Sequence, residues 1–223
     1  MIKDNVFEVR ERIASACRRA GREPASVKLI AVSKNRSIEK IREAVASGIT
    51  DLGENRLQEA LLKYNDQQLS SSTAPLRWHM VGHLQTNKVK EAVKVFDLIQ
   101  SVDSLRLAQE ISREALKINK VQEILLEVKI SPEATKFGLK PEETPGVIRE
   151  VSALKNIKIS GLMAIAPIVK TSQEARPYFR ILRNLRDQID SKLILSMGMS
   201  DDFEAGIEEG SDMVRIGRAI FES

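Results

Sequence analysis

With a single cysteine, Cys17, in 223 residues, the chain has no intrachain disulfide framework and no cysteine-rich zinc site, and it fits a reducing compartment. Histidine is almost as scarce. His79 and His83 stand four apart in a β-rich run, where they do not converge as on a helix, and no acid-rich or cysteine ligand set accompanies them, so no metal is expected. No stretch of 18 apolar residues occurs. The start, MIKDNVFEVRERI, carries charge at every turn and no apolar h-region, so neither a membrane span nor a secretory leader is expected and a cytoplasmic location follows. No early Gly-rich dinucleotide fingerprint and no linker are present.

What is there is ordinary for a globular chain. Hydrophobic residues are 42% and charged residues 30%, enough to bury a large core under a solvated surface. At this length one domain over residues 1–223 is the default expectation. The formal charge of +4 comes from Lys and Arg scattered along the chain, which is not the footprint of a nucleic-acid binder.

Asp4 to Ala20 carries one apolar stripe, Val6, Val9, Ile13, Cys17 and Ala20, with Asp4 as candidate cap and Gly21 just past the end. It predicts an amphipathic helix in which Cys17 is a small buried hydrophobe. From Lys28 onward β-rich runs alternate with helical patterns. The predicted strands are Lys28 to Ser33, Asp51 to Gly53, Arg77 to Val81, Asp97 to Ser101, Glu123 to Ile130, Ile157 to Met163, Lys192 to Ser196 and Met213 to Ile216. Helices are predicted at Ile38 to Ser47, Leu57 to Gln68, Thr86 to Val95, Leu105 to Ile118, Glu142 to Ala153, Gln173 to Ile189 and Asp201 to Glu209, with a short one after Arg218. Ser70 to Pro75 reads as a surface loop. Eight strand-helix units predict an α/β fold, a (β/α)8 TIM barrel with an extra N-terminal helix; a doubly wound open sheet gives the same alternation.

A parallel barrel carries its chemistry at the C-terminal strand ends. There stand Lys34, Glu54 and Asn55, His79 and His83, Ser101 and Asp103, Lys136, Ser196 and Ser200, and Arg215 with Gly217. Period-2 geometry puts Lys34 on the side of Ile30 and Val32, pointing into the mouth. A lysine desolvated there beside other cations has a lowered pKa and a free lone pair for a Schiff base, although taken alone it reads more readily as the start of a solvated loop. Ser200, after Gly198, is placed to hold a phosphate at a helix start and is equally an N-cap ahead of two acids. Arg215, Gly217 and Arg218 repeat a cation and a glycine before a helix. Loops after the seventh and eighth strands of such barrels often form a phosphate site. Trp78, opposite His79, reads as core.

Taken in order, Ala31-Val32-Ser33-Lys34, Gly53-Glu54-Asn55, Trp78 to Lys88, Gly161-Leu162-Met163-Ala164, Leu195 to Phe203 and Met213 to Gly217 resemble the pyridoxal-phosphate homeostasis proteins of the YggS/PROSC type. These are relatives of the N-terminal barrel of alanine racemase. The resemblance implies pyridoxal 5'-phosphate as cofactor, with Lys34 as its Schiff-base lysine. It further implies that Ser200 and the Gly217 region hold the phosphate, that Arg215 faces the pyridine nitrogen, and that Asn55, His79, Met197 and Gly198 line the cofactor. Asn35-Arg36-Ser37 replaces the family's common Thr-Lys-Pro, and Arg218 a common threonine; an arginine there supplies a charge-assisted bond. A cation at the ring nitrogen makes the ring a poorer electron sink. The two tyrosines, Tyr64 and Tyr178, lie in helical segments where neither serves as a racemase's second base. The expectation is therefore a monomeric carrier that buffers the cofactor or delivers it to dependent apoenzymes. The alternatives are an amino-acid racemase or decarboxylase, and an aldolase-like barrel using Lys34 on a sugar phosphate.

Overall fold

The computed structural model of the protein describes residues 1–66, 69, 75–131, 133 and 137–222. Helix α1 spans Ile2–Arg19 and buries Val6, Val9, Ile13 and Cys17. It begins ahead of Asp4, which sits in the first turn as a favourable acid instead of capping it. Its end is a Schellman motif. Gly21 takes φ +65°, the amide of Arg22 donates to the Cys17 carbonyl (2.9 Å), and the amide of Gly21 donates to that of Arg18 (3.2 Å).

The strands are β1 Lys28–Val32, β2 Asp51–Glu54, β3 Arg77–Met80, β4 Leu98–Val102, β5 Gln122–Glu127, β6 Ile157–Met163, β7 Ile194–Ser196 and β8 Met213–Ile216. The helices after α1 are α2 Ile38–Ala46, α3 Leu57–Tyr64, α4 Val89–Val95, α5 Leu105–Lys117, α6 Thr144–Ser152, α7 Ser172–Ile189, α8 Phe203–Glu208 and α9 Arg218–Phe221. Each strand pairs in parallel with the next, and β1 closes on β8 through Lys28 to Ala31 against Met213 to Ile216. That closure removes the open-sheet alternative and gives the expected (β/α)8 barrel. Among the described residues no helix is long and apolar enough to cross a membrane.

Alternation along the strands sorts the side chains. Ala31, Leu52, Trp78, Ile99, Leu162 and Val214 join the layer between barrel and helices, whereas Ile30, Leu98, Leu125, Met163 and Met213 pack inside. Phe96, Phe179 and Phe203 are fully buried in the outer layer, each stabilising by about 1.5–3 kcal/mol. Cys17 is buried there too, and burial raises its thiol pKa, as befits an inert packing residue.

Most predicted boundaries shift by a residue or more, four of them as follows. β5 stops at Glu127 instead of Ile130, with a register irregularity at Ile124 and Leu125, and only a lone bridge from Val128 to Leu139 continues it. The predicted Thr86 to Val95 helix opens as a 3-10 turn over Thr86–Lys88. α6 starts at Thr144 because Pro145 takes a first-turn position that needs no amide. α8 starts at Phe203, with Asp202 and not Ser200 at the N-cap. Gln67, Gln68, Ser70 to Ala74 and Lys136 lie outside the described residues.

Candidate functional site

A cleft of about 620 Å3 opens at the C-terminal mouth of the barrel, lined by Val32, Lys34, Asn35, Arg36, Asn55, Val81, Ile165, Met199, Ser200, Arg215, Gly217, Arg218 and Glu222. Lys34 reaches it from a tight turn. Ser33 ends the β1 extension, the Arg36 amide donates to the Ser33 carbonyl (3.0 Å), and Asn35 adopts φ +57°. Asparagine is the side chain, after glycine, that best tolerates this left-handed geometry, which gives Asn35 its physical reason. The Asn35 amide is held by Glu59 Oε2 (2.8 Å). From below, Lys63 Nζ donates to the Ser33 carbonyl (2.7 Å) and to Glu54 Oε1 (2.5 Å), and Ser33 Oγ donates to the same carboxylate oxygen. Lys34 itself is exposed, so the expected desolvation of its amine is absent.

The floor of the cleft is Arg215, 4% exposed. Its Nη1 donates to Ser196 Oγ (2.6 Å) and its Nη2 to the Ala164 carbonyl (2.9 Å). Burial draws its pKa down to about 10 against the pull of Glu127 and Asp202, so the guanidinium stays charged at neutral pH. Behind it a buried chain of donors threads the barrel. Ser196 Oγ donates to Gln100 Oε1 (2.7 Å), Gln100 Nε2 to His79 Nδ1 (3.1 Å), and His79 Nε2 to Asp51 Oδ1 (2.9 Å). With Gln100 oriented this way, His79 must carry its proton on Nε2. At the far end burial pushes Asp51 up, but the hydrogen bonds from His79 and Thr50 and the nearby Lys28 ammonium outweigh it and hold the carboxyl below its usual range. The chain runs from the cleft cation to a carboxylate at the opposite end of the barrel and fixes Arg215 in one orientation.

The loops after β7 and β8 meet at the cleft's other end. Ser200 Oγ accepts the Ala219 amide (3.3 Å), the Gly198 carbonyl accepts the Arg215 amide (3.1 Å), and Arg218 pairs with Asp201. Gly198 sits at φ +97° with a would-be Cβ only 2.8 Å from Phe203 Cα, so no side chain fits there. The amides of Gly217 and Arg218 donate to no described residue, leaving two donors beside the Ser200 hydroxyl.

Of the nine expected contact residues, Lys34, Asn55, Ser200, Arg215, Gly217 and Arg218 line the cleft. Three do not. His79 is fully buried one layer down, three hydrogen bonds from Arg215 along the chain. Met197 faces the helices and is buried in the outer layer, because alternation from inward Ser196 turns it away. Gly198 acts through its backbone behind the lining. Of the two tyrosines, Tyr64 packs edge-on against Trp78 (6.0 Å) and Tyr178 lies against the outer layer, and neither lines the cleft.

Glu127, Gln100 and Lys63 went unread in the sequence. Glu127 ends β5 at the mouth, 7% exposed, where burial and then Asp103 push its carboxyl up to about 7 while Arg215 opposes them. The folded state thus holds a proton that the unfolded chain releases near 4.5. Its stabilisation is complete below about 4.5 and is lost as pH rises through about 7. The melting temperature of Glu127→Gln should therefore fall less than that of the parent between those pH values, as thermal denaturation across that range will read; identical slopes would refute the assignment.

The model of the alanine racemase N-terminal domain family matches residues 5–223. A pyridoxal phosphate homeostasis protein of Aquifex aeolicus is 44% identical over 98% of this chain and 96% of its own. One of Pseudomonas aeruginosa is 41% identical over 99% of this chain and 94% of its own. Among solved structures, PipY of Synechococcus elongatus with PLP bound superposes at a TM-score of 0.79 and 36% identity, covering 96% of this chain and 99% of that one.

Proposed function

This chain belongs to the pyridoxal phosphate homeostasis protein family, and from that premise we propose that it holds pyridoxal 5'-phosphate as a Schiff base on Lys34 and buffers or delivers it inside the cell. The observation that carries the reading is the pairing of one primary amine on the cleft wall, Lys34, with unengaged backbone donors and the Ser200 hydroxyl at its far end. That donor set suits an aldehyde at one end of a ligand and a phosphate dianion at the other. The group supplies an aldehyde whose imine with an amine forms reversibly.

The chain's own residues divide the remaining work. Ser200, Gly217 and Arg218 bind the anionic end, with Arg218 drawn from Asp201 or shared with it. Asn55 and Val81 bound the ring. Arg215, held by Ser196 and the Ala164 carbonyl, presents a fixed positive charge at the ring nitrogen and so disfavours a proton there. His79 keeps its place in the reading as the orienting group of that arginine, with Met197 and Gly198 as the frame of the β7 loop. A ring kept unprotonated is a weak electron sink, and with no tyrosine among the described lining residues the carrier reading is favoured over a racemase or decarboxylase. The same reading takes residues 1–223 as one domain, a monomer in a reducing cytoplasm, with apoenzymes that need the cofactor as recipients.

Peptide mapping after borohydride reduction of the yellow protein should place the phosphopyridoxyl mass on Lys34, at one per chain. A mass on any other lysine, or a colourless protein after incubation with the cofactor, would refute the reading.

A further inference from the structure

A second cavity, about 170 Å3, lies beside the cleft and shares the Ile165 wall with it; Glu127, Val128, Lys129, Ile130, Ser131 and Phe137 complete its described lining. Glu127 is 7% exposed, yet no described residue donates a hydrogen bond to its carboxylate. Arg215 acts on it through its charge, its side-chain hydrogen bonds going to Ser196 and the Ala164 carbonyl instead. A carboxylate so little exposed and without a donor from the described residues leaves its oxygens open to a donor that a ligand brings into the cavity. The charges around Glu127 are of both signs, Asp103 against Arg215, with Lys129 also on the cavity wall. Asp103 repels the Glu127 charge, Asp202 competes for Arg215, and His83 Nδ1 already pairs with Asp103 (3.2 Å). The His83 ring also stacks on Phe137 (3.9 Å between centroids), which fixes an aromatic ring on the cavity wall. A carboxylate, an aromatic ring and the aliphatic side chains of Ile130 and Ile165 are the elements that recognise an ammonium on a short apolar body.

We propose that this cavity binds the ammonium group of a small primary amine, seated against Glu127 and Phe137 next to the cofactor cleft. Its use rests on the reading of that cleft given above, although binding itself does not. An amine parked there is positioned for exchange. Glu127 would take one proton from the ammonium, and with the cofactor bound the freed amine would supply the imine nitrogen while its two remaining hydrogens pass to the departing Lys34 nitrogen. No oxidant or further reactant enters. Glu127 thereby links the arrival of an amine to release of the cofactor from the barrel.

The probe is n-butylamine, titrated calorimetrically into borohydride-reduced, cofactor-loaded protein, in which exchange at Lys34 is blocked and only the cavity reports. Saturable binding is expected, with n-butanol at the same concentrations giving none. Glu127→Gln should weaken it roughly tenfold or more, and Phe137→Ala by a smaller factor. Because Glu127 titrates near neutrality, the heat should also vary with the ionisation enthalpy of the buffer in the parent and not in Glu127→Gln. Absence of binding, equal binding of the alcohol, or unchanged affinity in both variants would overturn the proposal. If no Lys34 adduct forms at all, the cofactor reading fails instead, and the same titration on the unloaded protein still decides the amine site.

Discussion

Lys34→Ala, incubated with pyridoxal 5'-phosphate and reduced with borohydride, should carry no phosphopyridoxyl mass on any lysine of the barrel mouth. Of the described residues lining the cleft, Lys34 alone is a primary amine; Arg36, Arg215 and Arg218 are guanidiniums, which stay protonated and form no imine. Lys63, the nearest other amine beneath the turn, has its Nζ committed to Ser33 and Glu54 in a buried pair. Loss of the covalent link should weaken retention by roughly a hundredfold, about 2.7 kcal/mol, and leave the phosphate contacts as the remaining hold. Lys34→Arg separates charge from nucleophilicity: it should keep the residual, phosphate-competable binding and still give no adduct. Gel-filtration retention and intact-mass spectrometry read both quantities. An adduct of parental occupancy in either variant would remove Lys34 from the site.

The part of the site visible in the sequence is the part that sits where strands end. Lys34, Asn55, Ser200, Gly217 and Arg218 follow β1, β2, β7 and β8, and a barrel puts such residues at its mouth whatever the details of packing. Glu127 escaped because a strand predicted to reach Ile130 leaves it looking like a mid-strand residue; β5 stops at Glu127, which makes it a mouth residue. Gln100 shares its inward direction with Leu98, but one sequence does not show that its neighbours across the barrel are His79 and Ser196. His79 had its direction read correctly and its depth missed, since alternation gives the face of a strand and not the layer. Met197 is different: the parity that turns Ser196 inward already turns it outward, so the signal was present and the resemblance overrode it. Lys63 carries no signal at all, because a lysine on an amphipathic helix ordinarily reaches solvent.

That hidden lysine supports the second large effect. Lys63 is 6% exposed and Glu54 fully buried, and their contact at 2.5 Å is completed by Ser33, whose hydroxyl donates to the same Glu54 oxygen. Glu54 Oε2 already lacks a partner, and burial raises the pKa of this carboxyl despite Lys63 and Ser33. Lys63→Met strands the acid, and breaking a buried pair from one side costs about 3–5 kcal/mol, a fall in melting temperature of roughly 6–20 °C for a chain of this size. Lys63→Met combined with Glu54→Met removes both charges and should restore most of that loss, because an apolar pair of similar volume is often neutral. Cofactor affinity should not recover with it. The Ser33 carbonyl, which Lys63 grips at 2.7 Å, belongs to the turn that presents Lys34, and without that grip the turn keeps the Ser33 amide on the Gly53 carbonyl and the bonds of Asn35 and Arg36. A double variant with parental stability and roughly tenfold weaker adduct formation, about 1.4 kcal/mol, separates positioning from folding. Parental affinity in a restabilised double variant would make the Lys63 to Glu54 pair purely structural, and an unchanged melting temperature in Lys63→Met would show the pair to be absent in solution.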